Sequence, residues 1–154
     1  MFEMPKPTEH HQKLNKLVGH WKGEEKMYPS QWDPKGGMAM GHNHARVSLD
    51  GFAVVADYHQ ERDGQVTYQG HAVWTWDAKE NCYTMHWFDS MGSPPEVFKG
   101  NFQGDVLTVA SRGAQMHARM TYDFSHGPKL KSKMEMSPDG ASWSTLFDAE
   151  YEKK

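Results

Sequence analysis

"GHNHARVSLDGFAVVADYHQ", residues 41–60, carries three histidines and an aspartate on two short segments joined by Asp50-Gly51. Apolar and polar residues alternate on both sides of that dipeptide, which is the period of two that marks a strand. Asp-Gly is a hairpin signal, because the favoured two-residue turns need positive φ at their centre. With Asp50-Gly51 as the turn, Leu49 faces Phe52, His44 faces Asp57 and His42 faces His59. Directly opposed residues share a face of the sheet. His42, His44, Arg46, Asp57 and His59 therefore line one side, and Ala45, Val47, Leu49, Phe52, Val54 and Ala56 line the other.

The same count runs on through Asp63-Gly64. If Arg62 faces Gln65, Asp57 falls opposite Gly70 and Val55 opposite Ala72, on the face that carries Tyr68, Trp74 and Trp76. The turn "AKEN", residues 78–81, then sets Trp76 against Tyr83, Trp74 against Met85, Ala72 against Trp87 and Gly70 against Asp89. Small residues lie where large ones need room, so Trp74, Trp76, Tyr83, Met85, Trp87 and Asp89 form an inward set. By continuity of register, His42, His44, Asp57 and His59 turn inward with them. A one-residue bulge at either Asp-Gly turn gives the opposite answer: Val47, Val54 and Ala56 go inward and the histidines face solvent.

The rest of the chain reads the same way. "TEHHQKLNKLVG" is the one helical segment, placed at 8–18, with Thr8 as N-cap, Leu14, Leu17 and Val18 at helical spacing, and Gly19 as the stop. Strands follow at about 20–28, 38–49, 52–61, 65–76, 82–89, 95–102, 106–111, 115–124, 129–136 and 141–151, with turn residues at Gln103-Gly104-Asp105 and Pro138-Asp139-Gly140. The apolar content is aromatic and methionine-rich, with 11 Met, 6 Trp, 6 Tyr and 7 Phe, which suits bulky inward side chains on a sheet. The expected fold is all-β: a roughly ten-stranded antiparallel up-and-down β-barrel over 20–151, preceded by one short N-terminal helix, in one domain spanning 1–154. The segment "PSQWDPKGG", residues 29–37, is a loop placed to cover the barrel mouth.

Three stretches carry a resemblance. "LVGHWKGEE" at 17–25 looks like the Gly-x-Trp opening of the calycins, the lipocalin-like barrels in which a short helix leads into a first strand whose Trp plugs one end. Together with "WDAKENCYTMHWFDSMG" at 76–92 and "MEMSPDGASW" at 134–143, the chain resembles a bacterial family catalogued as domain of unknown function 1579, over most of residues 14–151. The resemblance implies a calycin-like barrel and carries no reaction with it. The last strand, "STLFDAEYEKK", departs from many lipocalins in lacking the Arg that packs on the first-strand Trp.

Composition narrows the function. With 17 Lys and Arg against 20 Asp and Glu, for a net of −3, and no basic stripe, nothing points to nucleic acid. A single cysteine, Cys82, rules out an internal disulfide framework and fits a reducing compartment. No stretch approaches the apolar length of a membrane span and no apolar leader follows the N-terminus, so a cytoplasmic protein away from membranes is expected. Homo-oligomerisation is left open.

With the inward register, the lumen has aromatic and Met walls and a polar patch of His42, His44, Asp57, His59 and Asp89. Such a lumen is a ligand cavity for a small, partly apolar molecule: Trp74, Tyr83, Met85 and Trp87 supply affinity and the His/Asp patch orients a polar end. The rival reading is a hydrolase or isomerase in the same cavity, with His44 and Asp57 as an acid/base pair and a metal on His42, His44 and His59. No catalytic residue is demanded by a motif. No cofactor is required either; zinc on those three imidazoles, or a haem held by His117 between Met116 and Met120, are the two the residues admit. A barrel packed shut by its methionines, acting as a scaffold, is the third reading.

Overall fold

The computed structural model describes residues 2–113 and 116–154. Thr8 caps the helix α1 (Glu9–Lys13): its hydroxyl accepts from the His10 N–H at 3.2 Å, and its own N–H donates to His11 Nδ1 at 2.9 Å. Two backbone donors that a helix start leaves orphaned are thereby satisfied. One and a half turns of helix have no independent stability, so tertiary contacts must hold this one. They do: a 3-10 turn over Leu14–Leu17 buries both leucines. Trp21 Nε1 donates to the Leu17 carbonyl at 3.0 Å, the Tyr83 hydroxyl donates to the His10 carbonyl at 2.7 Å, and the His10 ring stacks on Trp76 at 4.0 Å. The segment is a plug across one end of the sheet.

Ten strands follow: β1 (Gly19–Met27), β2 (Gly37–Ser48), β3 (Ala53–Arg62), β4 (Gln65–Asp77), β5 (Cys82–Asp89), β6 (Glu96–Gln103), β7 (Val106–Arg112), β8 (His117–His126), β9 (Lys129–Ser137) and β10 (Ser144–Lys153). Each pairs antiparallel with its neighbour in sequence, and β1 pairs with β10, from Trp21 opposite Lys153 to Met27 opposite Phe147, to close the barrel. The all-β, ten-stranded up-and-down barrel with one short helix is therefore the observed fold. The expected start of the eighth strand at residue 115 lies outside the described residues. The last strand begins at Ser144 rather than 141, because Asp139 gathers the preceding residues into a turn: its Oδ1 accepts from the N–H groups of Ala141 and Ser142 and from the Ser137 hydroxyl. No described helix is long and apolar enough to cross a membrane.

The β2–β3 hairpin has the counted register, with His44 opposite Asp57 and His42 opposite His59. Its turn is tight, with Leu49 and Asp50 at φ 53° and Gly51 at φ 99°. The β4–β5 hairpin also follows the count, from Trp76 opposite Tyr83 to Gly70 opposite Asp89. The hairpin between them does not. Arg62 pairs with Gln65 and Glu61 with Val66, but Gln60 pairs with Tyr68, leaving Thr67 as an extra residue, and Asp57 comes to lie opposite His71 instead of Gly70. That bulge shifts parity by one. His42, His44, Asp57 and His59 consequently face outward, which corrects the continuous register, while Ala45, Val54 and Ala56 are buried inside. Val47 shares their parity but stays exposed near the turn.

The plugged half of the barrel is a packed core of Leu14, Leu17, Val54, Trp74, Met85, Phe98, Leu107 and Val109. Trp74, Tyr83, Met85, Trp87 and Asp89 share the inward parity expected of them. Cys82, on the opposite parity, is free. Lys153 takes up the place of the missing Arg, with its Nζ 5.1 Å from the centre of the Trp21 ring.

Candidate functional site

The unplugged half of the barrel is lined by polar groups. Along β1 the inward parity runs Trp21, Gly23, Glu25, Met27, which drives a carboxylate into the interior. Glu25 is 0% exposed. Its oxygens accept from Tyr58 at 2.7 and 2.8 Å, from the Gln60 amide at 3.0 Å, and from the Tyr151 hydroxyl. Gly41, on the neighbouring strand, makes this possible: a Cβ there would stand 2.3 Å from a Glu25 oxygen. Three neutral donors thus hold a buried charge, the arrangement that a desolvated carboxylate needs. Burial, with the Glu25 charge adding to it, pushes the Tyr58 and Tyr151 phenols far above their ordinary range, so both stay protonated donors.

A second cluster sits beside the first. The Tyr68 hydroxyl donates to Asp89 Oδ2 at 2.7 Å, and Trp87 Nε1 donates to the same oxygen at 3.2 Å. The rings of Tyr58, Tyr68 and Trp87 lie 6.2–6.4 Å apart, centre to centre. Gly70 supplies the room for the Trp87 indole, since a Cβ there would come within 2.1 Å of it. Glu96 pairs with Trp87 across β5 and β6. Its carboxyl is raised above the ordinary carboxylate range, first by burial and then by the Asp89 charge.

The apolar inward side chains of this half are less completely buried than those of the plugged half. Trp87, Met120, Met134 and Met136 point into the barrel, pack on the core and stay half-buried. Deeper in, Tyr122 packs edge-on against Trp74 with ring centres 5.5 Å apart, and burial raises its phenol well above the usual range.

The histidines expected in the lumen lie on the other side of the wall. Asp57 accepts from Arg46 at 3.4 Å and pairs with His71 Nδ1 at 2.8 Å, rather than with His44. The His71 hydrogen bond, helped by Arg46 and opposed by burial, holds the Asp57 carboxyl below its usual range. His44 stacks toward His20, with ring centres 5.6 Å apart. An acid/base pair of His44 and Asp57 inside the cavity is therefore not formed. The haem reading meets the same parity: His117 lies opposite Ser137 and Arg112, outside the row of Met120 and Met134, and its ring borders Gly140.

His42 and His59 do meet, again on the outer face. Their rings stack at 4.4 Å and 11°, and both approach one oxygen of Glu61: His59 Nε2 at 3.1 Å and His42 Nε2 at 3.6 Å. The three-imidazole set of His42, His44 and His59 is thus replaced by two imidazoles and a carboxylate. His42 Nε2 is closed off from solvent and has no hydrogen-bond partner. Burial, followed by the neighbouring His59, lowers the His42 pKa below 6.5, so the ring is neutral at pH 7.

A family model described as a protein of unknown function, DUF1579, matches residues 6–153. The chain belongs to the DUF1579 family. Among solved structures, this DUF1579 barrel is similar to Rv2717c from M. tuberculosis, with a TM-score of 0.69 and 14% identity over 93% of this chain and 96% of that one. It is also similar to the S-type phycobiliprotein lyase CPES from Guillardia theta, with a TM-score of 0.61 and 8% identity over 97% and 98% of the two chains. At these identities the likeness is one of fold. Comparison with curated proteins gives no match.

The interior of this DUF1579 protein is built largely from residues that the histidine-rich stretch drew attention away from. Glu25, Tyr58, Gln60 and Tyr151 were not candidates from sequence, although the signal was there: Glu25 shares the parity of the plug residue Trp21, and Gly41 opens space nearby. Glu61 was missed although alternation alone sets it on the same face of β3 as His59, two residues along the strand.

Proposed function

We propose that the open half of the barrel binds a small, partly apolar ligand. The observation that supports this is the set of inward aromatic and methionine side chains, Trp87, Met120, Met134 and Met136, left half-buried beside the Tyr68–Asp89 polar cluster. Apolar walls with a few convergent polar groups are the ordinary composition of a small-molecule site. The polar end of the ligand falls to Tyr68, Asp89 and Glu96, in place of the histidines. Glu25 already takes hydrogen bonds from three side chains, so it braces the wall rather than addressing the ligand. The likeness to the phycobiliprotein lyase supports the reading through the shared barrel alone.

Thermal shift and tryptophan fluorescence with a long-chain fatty acid, a retinoid and a porphyrin test this. At a hundredfold excess over its dissociation constant a bound ligand stabilises by about 2.7 kcal/mol, a readily measured rise in Tm. Trp87→Leu and Glu96→Gln should weaken the response while leaving the unliganded transition in place. A panel that moves neither observable, or a response in both variants equal to that of the wild type, overturns the reading.

A further inference from the structure

We propose that the outer wall carries a divalent transition-metal site formed by His42 of β2 with His59 and Glu61 of β3. It is separate from the lumen and does not depend on what the lumen binds.

The three ligand atoms, one from each side chain, all lie within 4.8 Å of one another. Around a tetrahedral zinc with bonds of about 2.0–2.1 Å, neighbouring ligand atoms sit about 3.3 Å apart. The Glu61–His59 and Glu61–His42 separations, 3.1 and 3.6 Å, bracket that value, so the carboxylate oxygen already stands at ligand spacing from both nitrogens, and the two rings, stacked at 11°, tilt toward each other to bring both lone pairs onto one ion. The backbone supplies the convergence. His42 and His59 are directly opposed across the β2–β3 ladder, and Glu61 lies two residues along β3 from His59 on the same face.

The state of His42 points to a missing partner. Its Nε2 is shut off from solvent and bonded to nothing, and such an orphaned nitrogen is costly unless something occupies its lone pair. A metal shared with Glu61 would occupy that lone pair directly. Two imidazoles and one carboxylate suit zinc or a neighbouring first-row ion better than calcium or magnesium, which prefer oxygen ligands. Three protein ligands leave a fourth position facing solvent, on side chains that are 17–39% exposed. That is the open coordination of a site able to hold a water or an exchangeable ligand.

The test is calorimetric titration of zinc chloride into the full chain, freed of metal by chelator and without an affinity tag. The expected result is one zinc per chain, with binding weakened at least tenfold in both His59→Ala and Glu61→Gln and unchanged in His44→Ala. Changes merely next to a metal ligand cost about 10–100-fold, so loss of a ligand itself should cost no less. Because these side chains sit on the outer face, the variants keep the core intact. A readout that needs no variant is the imidazole NMR spectrum of the wild-type chain, in which zinc should move the ring signals of His42 and His59 and leave that of His44 in place. Absence of stoichiometric zinc binding, equal affinity in wild type, His59→Ala and Glu61→Gln, or a loss in His44→Ala as large as in the others would overturn the assignment.

Discussion

Replacing Glu25 by alanine would leave Tyr58, Tyr151 and Gln60 pointing their donors at the acceptor they now share. Removing one partner from a buried charged network costs about 3–5 kcal/mol, so Glu25→Ala should lower the urea midpoint steeply and Glu25→Gln, which keeps an acceptor, less so. The phenols give the pH dependence. A tyrosine whose folded pKa is raised contributes stability that is complete below its unfolded value of 10.0 and is lost as pH climbs toward the folded value. Tyr58 and Tyr151 should therefore show no tyrosinate absorbance near pH 10 in the native state, and it should appear together with unfolding. Asp139 has the opposite sign. Its carboxyl, held down to about 2 by the N–H groups of Ser142 and Ala141 and the Ser137 hydroxyl, stabilises the turn above its unfolded value of 3.8. The Tm gap between wild type and Asp139→Asn should stay constant from neutral pH to that value and narrow as pH falls toward 2.

Between β3 and β4 a single extra residue, Thr67, decides what faces what. Deleting it would either push Asp57 and His59 into the apolar interior or force the hairpin to slip, and neither leaves the observed packing possible. Loss of near-UV circular dichroism and of cooperative unfolding is expected for the deletion, while Thr67→Ala, which keeps the chain length, should fold. The neighbouring Gly70→Ala would crowd the Trp87 indole, at a cost of about 1–3 kcal/mol if the wall cannot give way, with a change in the tryptophan signal as its mark. The bulge also explains what was legible in the chain. Alternation and turn residues placed every strand, and the opposition of Gly70 and Ala72 to large side chains fixed the inward aromatics correctly. Within β2 and β3 the pairs were legible too. The link between the two hairpins was not, because a bulge is a local backbone choice: the Asp63-Gly64 turn pairs Arg62 with Gln65 whether or not Thr67 is squeezed out further along. Inner and outer faces thus could not be joined by counting, and the histidines went to the wrong chamber.

For the molecule as a whole, the plug and the seam set the stability of the barrel. Leu14 is 1% exposed at the centre of the plug, and truncating it to alanine should cost about 2–5 kcal/mol in chemical denaturation, by loss of burial and by the cavity left among the core residues it touches. Every strand pairing but one joins consecutive strands through a short connection; the exception fastens β1 to β10, with Trp21 opposite Lys153. Hairpins zip quickly because their loops are short, whereas bringing the two far ends of the chain together carries the largest closure entropy in the fold. The seam is thus the natural last event of assembly. Until it forms, the edges of the first and last strands stay unpaired and open to a second molecule, so the hazard of misassembly is concentrated in the time before the ring shuts.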